Sequence, residues 1–341
     1  MQHVESTLGP DVPIVVWSPR DGARFSLDEL AAYLAESKER ISAQLDENGG
    51  ILLRGFDCVH TSHDYQKVLD VVAPDLMDYV GGTSPRKVVN GRIMTATEIP
   101  GSYSIPLHQE MSYTDNSPDR ISFFCERPPS EGGQTTIGDM RAITRAIDPK
   151  VRERFETHGG VQLCRNLPLP EKVASRPGVP KTWHEVFATD RREEAEKVAA
   201  KSGWRFEWLD DGSMQLWQEV RPTTRQHPRS GDDVWFNQVH IFSPVSALKW
   251  ARLDGRTEAA DRLARALEEA PQLLDHMRYG DGTEIAAEDV LHIYDVLLEN
   301  EKPVQWQKGD VLVLDNILVA HGRKRFSGDR SVLTALIQHA H

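Results

Sequence analysis

The segment LHQEMSY, residues 107–113, places His108 and Glu110 two positions apart. Imidazole nitrogens and carboxylate oxygens both bind divalent metals, so this pair indicates part of a metal site. The spacing alone is weak evidence. With 13 histidines and 52 acidic residues in 341, roughly two His-x-acid triplets are expected by chance. The chain has two, the other being His3 with Glu5 in a polar stretch, so the surrounding sequence must distinguish them.

The residues around His108 favour a backbone on which both side chains could reach one ion. Residues two apart project from the same face of an extended strand. Pro106 favours extension because it lacks an amide hydrogen and restricts its neighbour. His321, at the end of the apolar run DVLVLDNILVAHG (310–322), is the best third ligand. Gly322 could turn the backbone there, and a surface histidine in a turn is the alternative.

Two further segments are suited to binding an anionic cosubstrate beside such a metal. In SEGGQTTIGD (130–139), two consecutive glycines predict a turn that leads into a strand at Thr135. In GRKRFSGDR (322–330), three arginines cluster within an acidic chain: Arg323, Arg325 and Arg330. A guanidinium binds a carboxylate through paired hydrogen bonds, and a hydroxyl adds a donor. A dicarboxylate fits these groups, and a solvated basic turn is the alternative.

The elements that must position these residues indicate one mainly β domain with helices, spanning residues 1–341. Strands are predicted at 51–56, 121–126, 135–140, 233–242, 310–322 and 330–338. Helices are predicted at about 26–46, 62–73, 139–157, 191–202, 244–270 and 286–300. This mixed order, without a G-x-G-x-x-G turn, favours a β-sandwich or a jelly roll (double-stranded β-helix) decorated by α-helices over a doubly wound sheet, and the jelly roll is our prediction. Residues at about 141–310 would form a helical insert.

Composition limits the partners and the compartment. A formal net charge of −12 disfavours nucleic acid and anionic membranes as partners, because neither would be attracted at long range. The first thirty residues lack a signal-peptide pattern, so we expect a cytoplasmic protein. The three cysteines contain no C-x-x-C pair, which argues against a disulfide framework or a thiolate zinc site. A small-molecule substrate is expected, and a homo-oligomer stays open.

The full set of motifs resembles the Fe(II)/2-oxoglutarate-dependent dioxygenases of the taurine dioxygenase and clavaminate synthase type. The resemblance covers most of the chain and is carried by GGILLRGF (49–56), SPR (84–86), IPLHQEMSY (105–113), PPSEGGQTTIGD (128–139), VWFNQVH (234–240), YGDG (279–282) and the segment from 309 to 330. Within the family, the chain looks most like the clade of the syringomycin-biosynthesis hydroxylase. That enzyme acts on an amino acid tethered to a carrier protein.

Carried over by position, the resemblance implies that His108, Glu110 and His321 bind Fe(II). Thr135, in the G-G-x-T pattern, would contact a carboxylate of 2-oxoglutarate. Arg330, nine residues after the last metal ligand, would bind the C5 carboxylate. The implied reaction uses O2 and converts 2-oxoglutarate to succinate and CO2 while an unactivated C–H bond is hydroxylated. Many members have Asp where Glu110 stands, whereas related halogenases have Gly or Ala, so halogenation is not expected.

The substrate implied is an amino acid or an amino-acid-derived compound of natural-product biosynthesis, such as an antibiotic pathway. Asn237 and Arg323 are the candidate substrate-binding residues, and the insert would act as a lid. His240 is not expected to bind metal, because a fourth protein ligand would block oxygen. Carrier proteins are usually acidic, so the negative charge of this chain favours a free substrate. The resemblance to the carrier-dependent clade favours a tethered one.

Other readings of the same residues stay open at this stage. Desaturation, epoxidation and cyclisation use the same cofactor chemistry as hydroxylation. A zinc hydrolase could use the same three ligands, although the chain has no H-E-x-x-H helix, and that reading gives no role to Thr135 and Arg330. A non-catalytic cupin-like binding protein is the third reading.

Overall fold

The computed structural model describes residues 4–9, 14–79, 82–173 and 181–338, so His3 of the second triplet lies outside the described residues. The α-helices in these ranges are α1 (Leu27–Glu36), α2 (Lys38–Asn48), α3 (Ser62–Val72), α4 (Met140–Ala146), α5 (Pro149–Thr157), α6 (Trp183–Phe187), α7 (Arg192–Lys201), α8 (Val239–Phe242), α9 (Pro244–Leu253), α10 (Thr257–Glu269) and α11 (Ala287–Glu299). No helix in them is long and apolar enough to cross a membrane.

The strands in the same ranges are β1 (Val4–Leu8), β2 (Val15–Pro19), β3 (Gly50–Leu53), β4 (Leu76–Met77), β5 (Val88–Asn90), β6 (Ile93–Thr95), β7 (Ile105–His108), β8 (Arg120–Arg127), β9 (Glu131–Gly132), β10 (Thr135–Asp139), β11 (Val161–Leu167), β12 (Arg205–Trp208), β13 (Met214–Arg221), β14 (Thr224–Gln226), β15 (Asp233–Trp235), β16 (His276–Tyr279), β17 (Lys302–Val304), β18 (Val311–Asp315), β19 (Val319–Arg323), β20 (Phe326–Ser327) and β21 (Ser331–Ile337).

The major sheet has the strand order β1-β2-β3-β18-β8-β21-β6-β5, with β4 paired to β21. Its central strands are apolar on both faces because both faces are buried. In β18, Val311 and Val313 pack with α1, α2 and α3 in one core cluster. Leu312 and Leu314 point to the opposite face, into a second cluster.

The minor sheet has the order β17-β10-β19-β7 and packs against that opposite face of the major sheet. The cluster between the sheets includes Phe123 of β8 and Ile137 of β10. Two sheets that face each other across a shared apolar core form the predicted jelly roll.

Helices and a third sheet cover the rest of the minor sheet. On its outer face, Leu107 and Ala320 share a core cluster with residues of α4, α5 and α11. A third sheet, of order β12-β13-β11-β16, forms a separate cluster with α6 and α7. All of these elements except β7 and β19 come between β10 and β18 in the chain, the region predicted to be an insert.

Most predicted elements are confirmed, but several are divided. The predicted strand 310–322 is two strands in different sheets, because the Asp315 side chain accepts hydrogen bonds from the amides of Ile317 and Leu318, both at 2.9 Å, and turns the chain. The predicted strand 233–242 ends at Trp235 and is followed by α8. The helix predicted at 139–157 is interrupted before Pro149, which lacks the amide hydrogen needed within a helix.

Candidate active site

His108 and His321 are direct neighbours across two antiparallel strands, β7 and β19. Their ring centroids are 4.4 Å apart. Nδ1 of His108 lies 2.9 Å from the carbonyl oxygen of Pro106. Because a carbonyl only accepts hydrogen bonds, Nδ1 carries the proton and Nε2 keeps its lone pair for a metal.

Gly322, expected to turn the backbone at the end of a strand, lies inside β19 instead. A Cβ atom at this position would be 2.5 Å from the carbonyl oxygen of Ile105 on β7. Glycine therefore permits the close approach of the two strands that carry the histidines. His321 is buried, so the surface-histidine alternative is wrong.

Glu110 lies just beyond the end of β7, in a turn rather than in the extended strand that the sequence favoured. The side chain of Asn316 holds its backbone on both sides. Oδ1 of Asn316 accepts from the amide of Glu110 at 2.7 Å, and Nδ2 donates to the Glu110 carbonyl at 3.0 Å. Met111 then adopts a positive φ of 54°. These contacts hold the Glu110 backbone in place beyond the end of β7, where strand pairing no longer holds it.

The side chains of His108, Glu110 and His321 converge. One ligand atom from each lies within 4.8 Å of the other two, and Oε2 of Glu110 is 3.7 Å from Nε2 of His321. Nδ1 of His321 is buried without a hydrogen-bond partner among the described residues. This convergence of two imidazoles and one carboxylate is a donor set suited to Fe(II).

The protonation states of His108 and Glu110 also suit a metal. Burial, reinforced by neighbouring His321, lowers the pKa of His108 to about 3. Burial opposes ionisation of Glu110, but the adjacent Arg86 guanidinium and the imidazoles outweigh it and hold the pKa of the carboxyl below its usual range. Metals bind neutral imidazole and ionised carboxylate, so these ligands need not lose a proton at neutral pH.

Arg86 is a site residue to which sequence reasoning gave no role. Its Nη2 donates to Oε2 of Glu110 at 2.6 Å, and the two side chains are 4% and 5% exposed. The guanidinium also lies 4.5 Å from the ring centre of Tyr79. The SPR motif contained this arginine, but nothing in the sequence pairs it with a carboxylate 24 residues away.

Thr135 begins β10 and is buried. Nε1 of Trp306 donates to its Oγ1 at 3.1 Å. Because an indole N–H only donates, the threonine hydroxyl keeps its own hydrogen available for another acceptor. The hydroxyl can therefore contribute a hydrogen bond to an anionic ligand.

Arg330 lies against the predicted glycine turn. Gly132 and Gly133 have φ of 70° and 65°, and Nε of Arg330 donates to the Gly133 carbonyl at 3.2 Å. Its two terminal nitrogens make no hydrogen bond with the described part of the chain. Burial lowers the pKa of Arg330 to about 10, so the group stays cationic at neutral pH and can bind a carboxylate.

Comparison with known proteins identifies the family. The family model described as taurine catabolism dioxygenase TauD, TfdA family, matches residues 12–336. The dapdiamide synthesis protein DdaC of Enterobacter agglomerans is 32% identical over 328 residues, which cover 96% of this chain and 91% of that protein. A clavaminate synthase-like protein of Arabidopsis thaliana is 30% identical over 314 residues, with 91% and 88% covered. This chain belongs to the TauD/TfdA dioxygenase family.

Two solved structures of PvcB have a similar fold. The one from Pseudomonas aeruginosa matches with a TM-score of 0.53 at 15% identity. The other, described as an Fe, alpha-ketoglutarate dependent oxygenase from an isonitrile synthetic pathway, matches with a TM-score of 0.52 at 16% identity. Each match covers 99% of this chain and 92% of the PvcB chain. The likeness confirms the predicted jelly roll. As a TauD/TfdA enzyme, the chain is a dioxygenase that uses Fe(II), 2-oxoglutarate and O2. Its closeness to the syringomycin clade stays a prediction.

Two predicted substrate-binding residues of this TauD/TfdA enzyme are engaged with the protein itself. Nδ2 of Asn237 donates to the Thr223 carbonyl at 3.0 Å, and its Oδ1 accepts from the Val239 amide at 3.1 Å. The guanidinium of Arg323 donates to three backbone carbonyls, those of Ile99, Pro100 and Tyr103, at 2.8 to 3.1 Å. Their roles toward a substrate stay predictions.

His240 is buried near the TauD/TfdA site but its ligand atoms are not part of the converging set. Its Nε2 lies 2.7 Å from the Leu107 carbonyl, which requires a proton on that nitrogen. Burial lowers the pKa of His240 to about 4. The residue is a neutral donor that supports β7, the strand that carries His108.

A second group of metal-type side chains, Asp46, His227 and Asp315, also has ligand atoms within 4.8 Å of one another. Its groups already have partners. Nε2 of His227 lies 3.1 Å from Oδ2 of Asp315, while Nδ1 accepts from the Ser230 amide at 3.0 Å. Nη1 of Arg229 binds Asp46 at 2.8 Å. An arginine supplies the positive charge here, so this group is a structural network.

Proposed function

We propose that this dioxygenase hydroxylates an unactivated C–H bond of an amino acid or an amino-acid-derived substrate, with release of succinate and CO2. The family supplies the cofactor chemistry. The similarity to DdaC, named for dapdiamide synthesis, supports a role in natural-product biosynthesis. Glu110 supports hydroxylation over halogenation, because a carboxylate occupies the position that a halide would need.

In this proposal Fe(II) is held by His108, Glu110 and His321. The observation that carries it is the convergence of their three ligand atoms within 4.8 Å in a buried site. When bound, the metal supplies the centre at which O2 is reduced as 2-oxoglutarate is decarboxylated. The protein keeps the His108 imidazole neutral and the Glu110 carboxylate ionised. Phe123, whose ring centre is 5.2 Å from that of His321, packs against one ligand.

Arg330 and Thr135 would orient 2-oxoglutarate. The free terminal nitrogens of Arg330 suit the C5 carboxylate, because a guanidinium forms paired, charge-assisted hydrogen bonds with it. The hydroxyl of Thr135 adds a donor. The backbone carbonyl of Gly133 fixes Arg330 through Nε, which leaves the terminal nitrogens as the contacting pair.

The remaining elements of the proposal concern access and partners. Residues 141–310 would fold as an insert of a single domain spanning residues 1–341 and limit access to the site. Asn237 and Arg323 would contact the substrate or shape its pocket through the backbone segments they hold. The substrate would be free or carrier-bound in the cytoplasm, and a homo-oligomer is compatible with the proposal.

The first experiment tests the metal and the cosubstrate. Anaerobic addition of Fe(II) and 2-oxoglutarate should produce a visible charge-transfer band. In air, iron should support succinate formation and zinc should not. A colourless complex with full turnover in zinc would contradict the oxygenase assignment. Succinate production should then be screened with free amino acids and with their carrier-bound forms, and a gain of one oxygen atom in the product identifies hydroxylation.

A further inference from the structure

Arg86 has hydrogen-bonding capacity that the described protein does not use. One terminal nitrogen donates to Glu110, whereas Nε and Nη1 are buried and have no partner in the part of the chain that the structure describes. A buried N–H group without an acceptor is destabilising, and more so when it carries charge. These donors therefore call for a ligand.

The surroundings of Arg86 fix its guanidinium beside the converging ligands. The ring of Tyr79 lies over the guanidinium, with 4.5 Å between ring centre and Cζ. The Tyr79 hydroxyl accepts from the Ser84 amide at 2.9 Å, which ties the ring to the segment that carries Arg86. Stacking on an aromatic ring limits rotation of a guanidinium and leaves its in-plane N–H groups free to bind an anion.

We propose that Arg86 is a carboxylate-binding residue of the active site, which holds an acidic group of the substrate or of 2-oxoglutarate next to the His108, Glu110 and His321 cluster. This inference rests on the proposed function and deepens it. Arg86 would contact the ligand through Nε or Nη1, which lie on different edges of the guanidinium, while Nη2 keeps its hydrogen bond to Glu110. It would be distinct from Arg330, which serves the far end of 2-oxoglutarate.

The charges of these groups favour the substrate as the source of the carboxylate. Arg86 and Glu110 neutralise each other, and imidazole ligands are neutral. A divalent metal would thus bring two positive charges into a buried site. The chelating end of 2-oxoglutarate supplies one negative charge, and its other carboxylate pairs with Arg330. One more carboxylate makes the site neutral, and an α-carboxyl group bound as a thioester could not provide it.

The test compares Arg86→Lys with the wild type and uses acetate as a carboxylate probe, with acetamide as its neutral analogue. Lysine keeps the positive charge next to Glu110 but lacks Nε and Nη1. Calorimetric titration of the metal-free protein should show acetate binding that is about 10-fold weaker or more in Arg86→Lys, since charge-assisted hydrogen bonds contribute about that much affinity. Acetamide binding should not change.

Two further titrations identify the source of the carboxylate. The affinity for Mn(II) and, anaerobically with Fe(II), for 2-oxoglutarate is measured in both proteins. If Arg86→Lys binds acetate more weakly but 2-oxoglutarate with unchanged affinity, the carboxylate belongs to the substrate. If the variant binds 2-oxoglutarate more weakly but Mn(II) with unchanged affinity, the carboxylate belongs to 2-oxoglutarate. If acetate and 2-oxoglutarate both bind Arg86→Lys as they bind the wild type, Arg86 only positions Glu110 and the proposal is overturned.

Lys87→Gln is the matched control, because it removes a positive charge from the neighbouring residue. The Lys87 side chain is 74% exposed and pairs with Glu98 at 2.7 Å, outside the site. This variant should bind acetate, 2-oxoglutarate and Mn(II) as the wild type does. The acetate titration needs neither iron nor turnover, so its result is independent of whether the wild type produces succinate.

Discussion

Arg323, Arg325 and Arg330 lie within nine residues of His321, yet the fold gives them three different environments. Arg323 is buried and donates to three backbone carbonyls. The side chain of Arg325 is 56% exposed, and it donates to the Asp254 carbonyl at 2.8 Å. Arg330 alone among these three combines partial burial with free terminal nitrogens. Burial and hydrogen bonding thus favour the residue that the family spacing selected.

At this scale we predict that Arg330→Gln weakens 2-oxoglutarate binding. Hydrogen bonds between charged groups contribute about 1.5–3 kcal/mol to binding. Replacing the guanidinium by a neutral amide should therefore lower the affinity for 2-oxoglutarate by roughly 10- to 100-fold. Mn(II) binding should change little, since Arg330 does not contact a predicted metal ligand. Anaerobic titration of the charge-transfer band measures the first quantity and calorimetry the second.

Arg325→Gln serves as the control for that substitution, because it removes the same charge from a more exposed position five residues earlier. Its affinity for 2-oxoglutarate should equal that of the wild type. Equal losses in the two variants would mean that general positive charge, rather than a specific ion pair, attracts the dicarboxylate.

At the scale of elements, the turn between β18 and β19 matters as much as the strands. Asp315 turns the chain by accepting two backbone hydrogen bonds, and Asn316, next in sequence, holds the backbone of Glu110. The turn therefore starts the strand that carries His321 and also fixes a second ligand from a distant part of the chain. The sequence shows the apolar run 310–322, but it does not show that Asp315 turns the chain or that Asn316 binds the Glu110 backbone.

We predict that Asn316→Ala lowers both stability and metal affinity. The change removes a fully buried amide and leaves the Glu110 and Pro118 backbone groups without their partner. Loss of such buried hydrogen bonds costs about 2–3 kcal/mol. Mn(II) should also bind less tightly, because Glu110 is no longer held in place. Urea unfolding and Mn(II) titration measure the two effects.

Asn300→Ala provides the comparison. Asn300 is half-buried at the end of α11 and donates to the Val296 carbonyl at 2.7 Å, far from the ligand cluster in sequence and on another element. We expect a small loss of stability, within about 1 kcal/mol, and unchanged Mn(II) affinity. If Asn316→Ala binds Mn(II) with the wild-type affinity, the position of Glu110 does not depend on its hydrogen bonds with Asn316.

How far the sequence could predict these elements depends on what terminates them. The apolar periods of α3 and α11 and the runs of β8 and β21 are local, and the structure places them within a few residues of the prediction. The turn at Asp315 depends on a side chain that accepts hydrogen bonds from backbone amides. The spacing of apolar residues in the sequence does not indicate such a contact. The short strand β7 is held by β19, so its existence depends on a partner far along the chain.

The site shows the same limit. His108, Glu110 and His321 are brought together as their motifs suggested, and Thr135 follows the predicted glycine turn. Arg86 was missed because its importance lies in a contact with Glu110 that has no sequence signature. Asn237 forms hydrogen bonds with the backbone groups of Thr223 and Val239, a role that its place in the segment 233–242 does not reveal. Residue types and their spacing indicate candidate metal ligands. Contacts in the folded protein decide which polar side chains remain available to bind a small molecule.

At the scale of the whole molecule, the described chain contains two groups of metal-type side chains that differ in their partners. In the cluster around His321, Nε2 of His108 keeps its lone pair, and Nε and Nη1 of Arg86 have no hydrogen-bond acceptor among the described residues. The cluster around His227 has its nitrogens engaged and arginine beside it. Similar residue types thus give one candidate metal centre and one ion-pair network.

We predict that the protein binds a single equivalent of Mn(II). His321→Gln should abolish this binding, because it removes one of three ligands. His227→Gln should retain it, although the variant should unfold more easily because Asp315 loses its buried partner. Calorimetry gives the stoichiometry. Two equivalents in the wild type, with one lost in His227→Gln, would make the second cluster a metal site as well.

The position of His321 gives truncation at this point a double effect. The strand β21, which lies between β8 and β6 in the major sheet, follows His321 in the chain. A premature stop codon before residue 321 therefore removes the third candidate ligand together with a strand on which two neighbours depend for their pairing. Such a product loses part of the metal cluster and part of the major sheet in a single step.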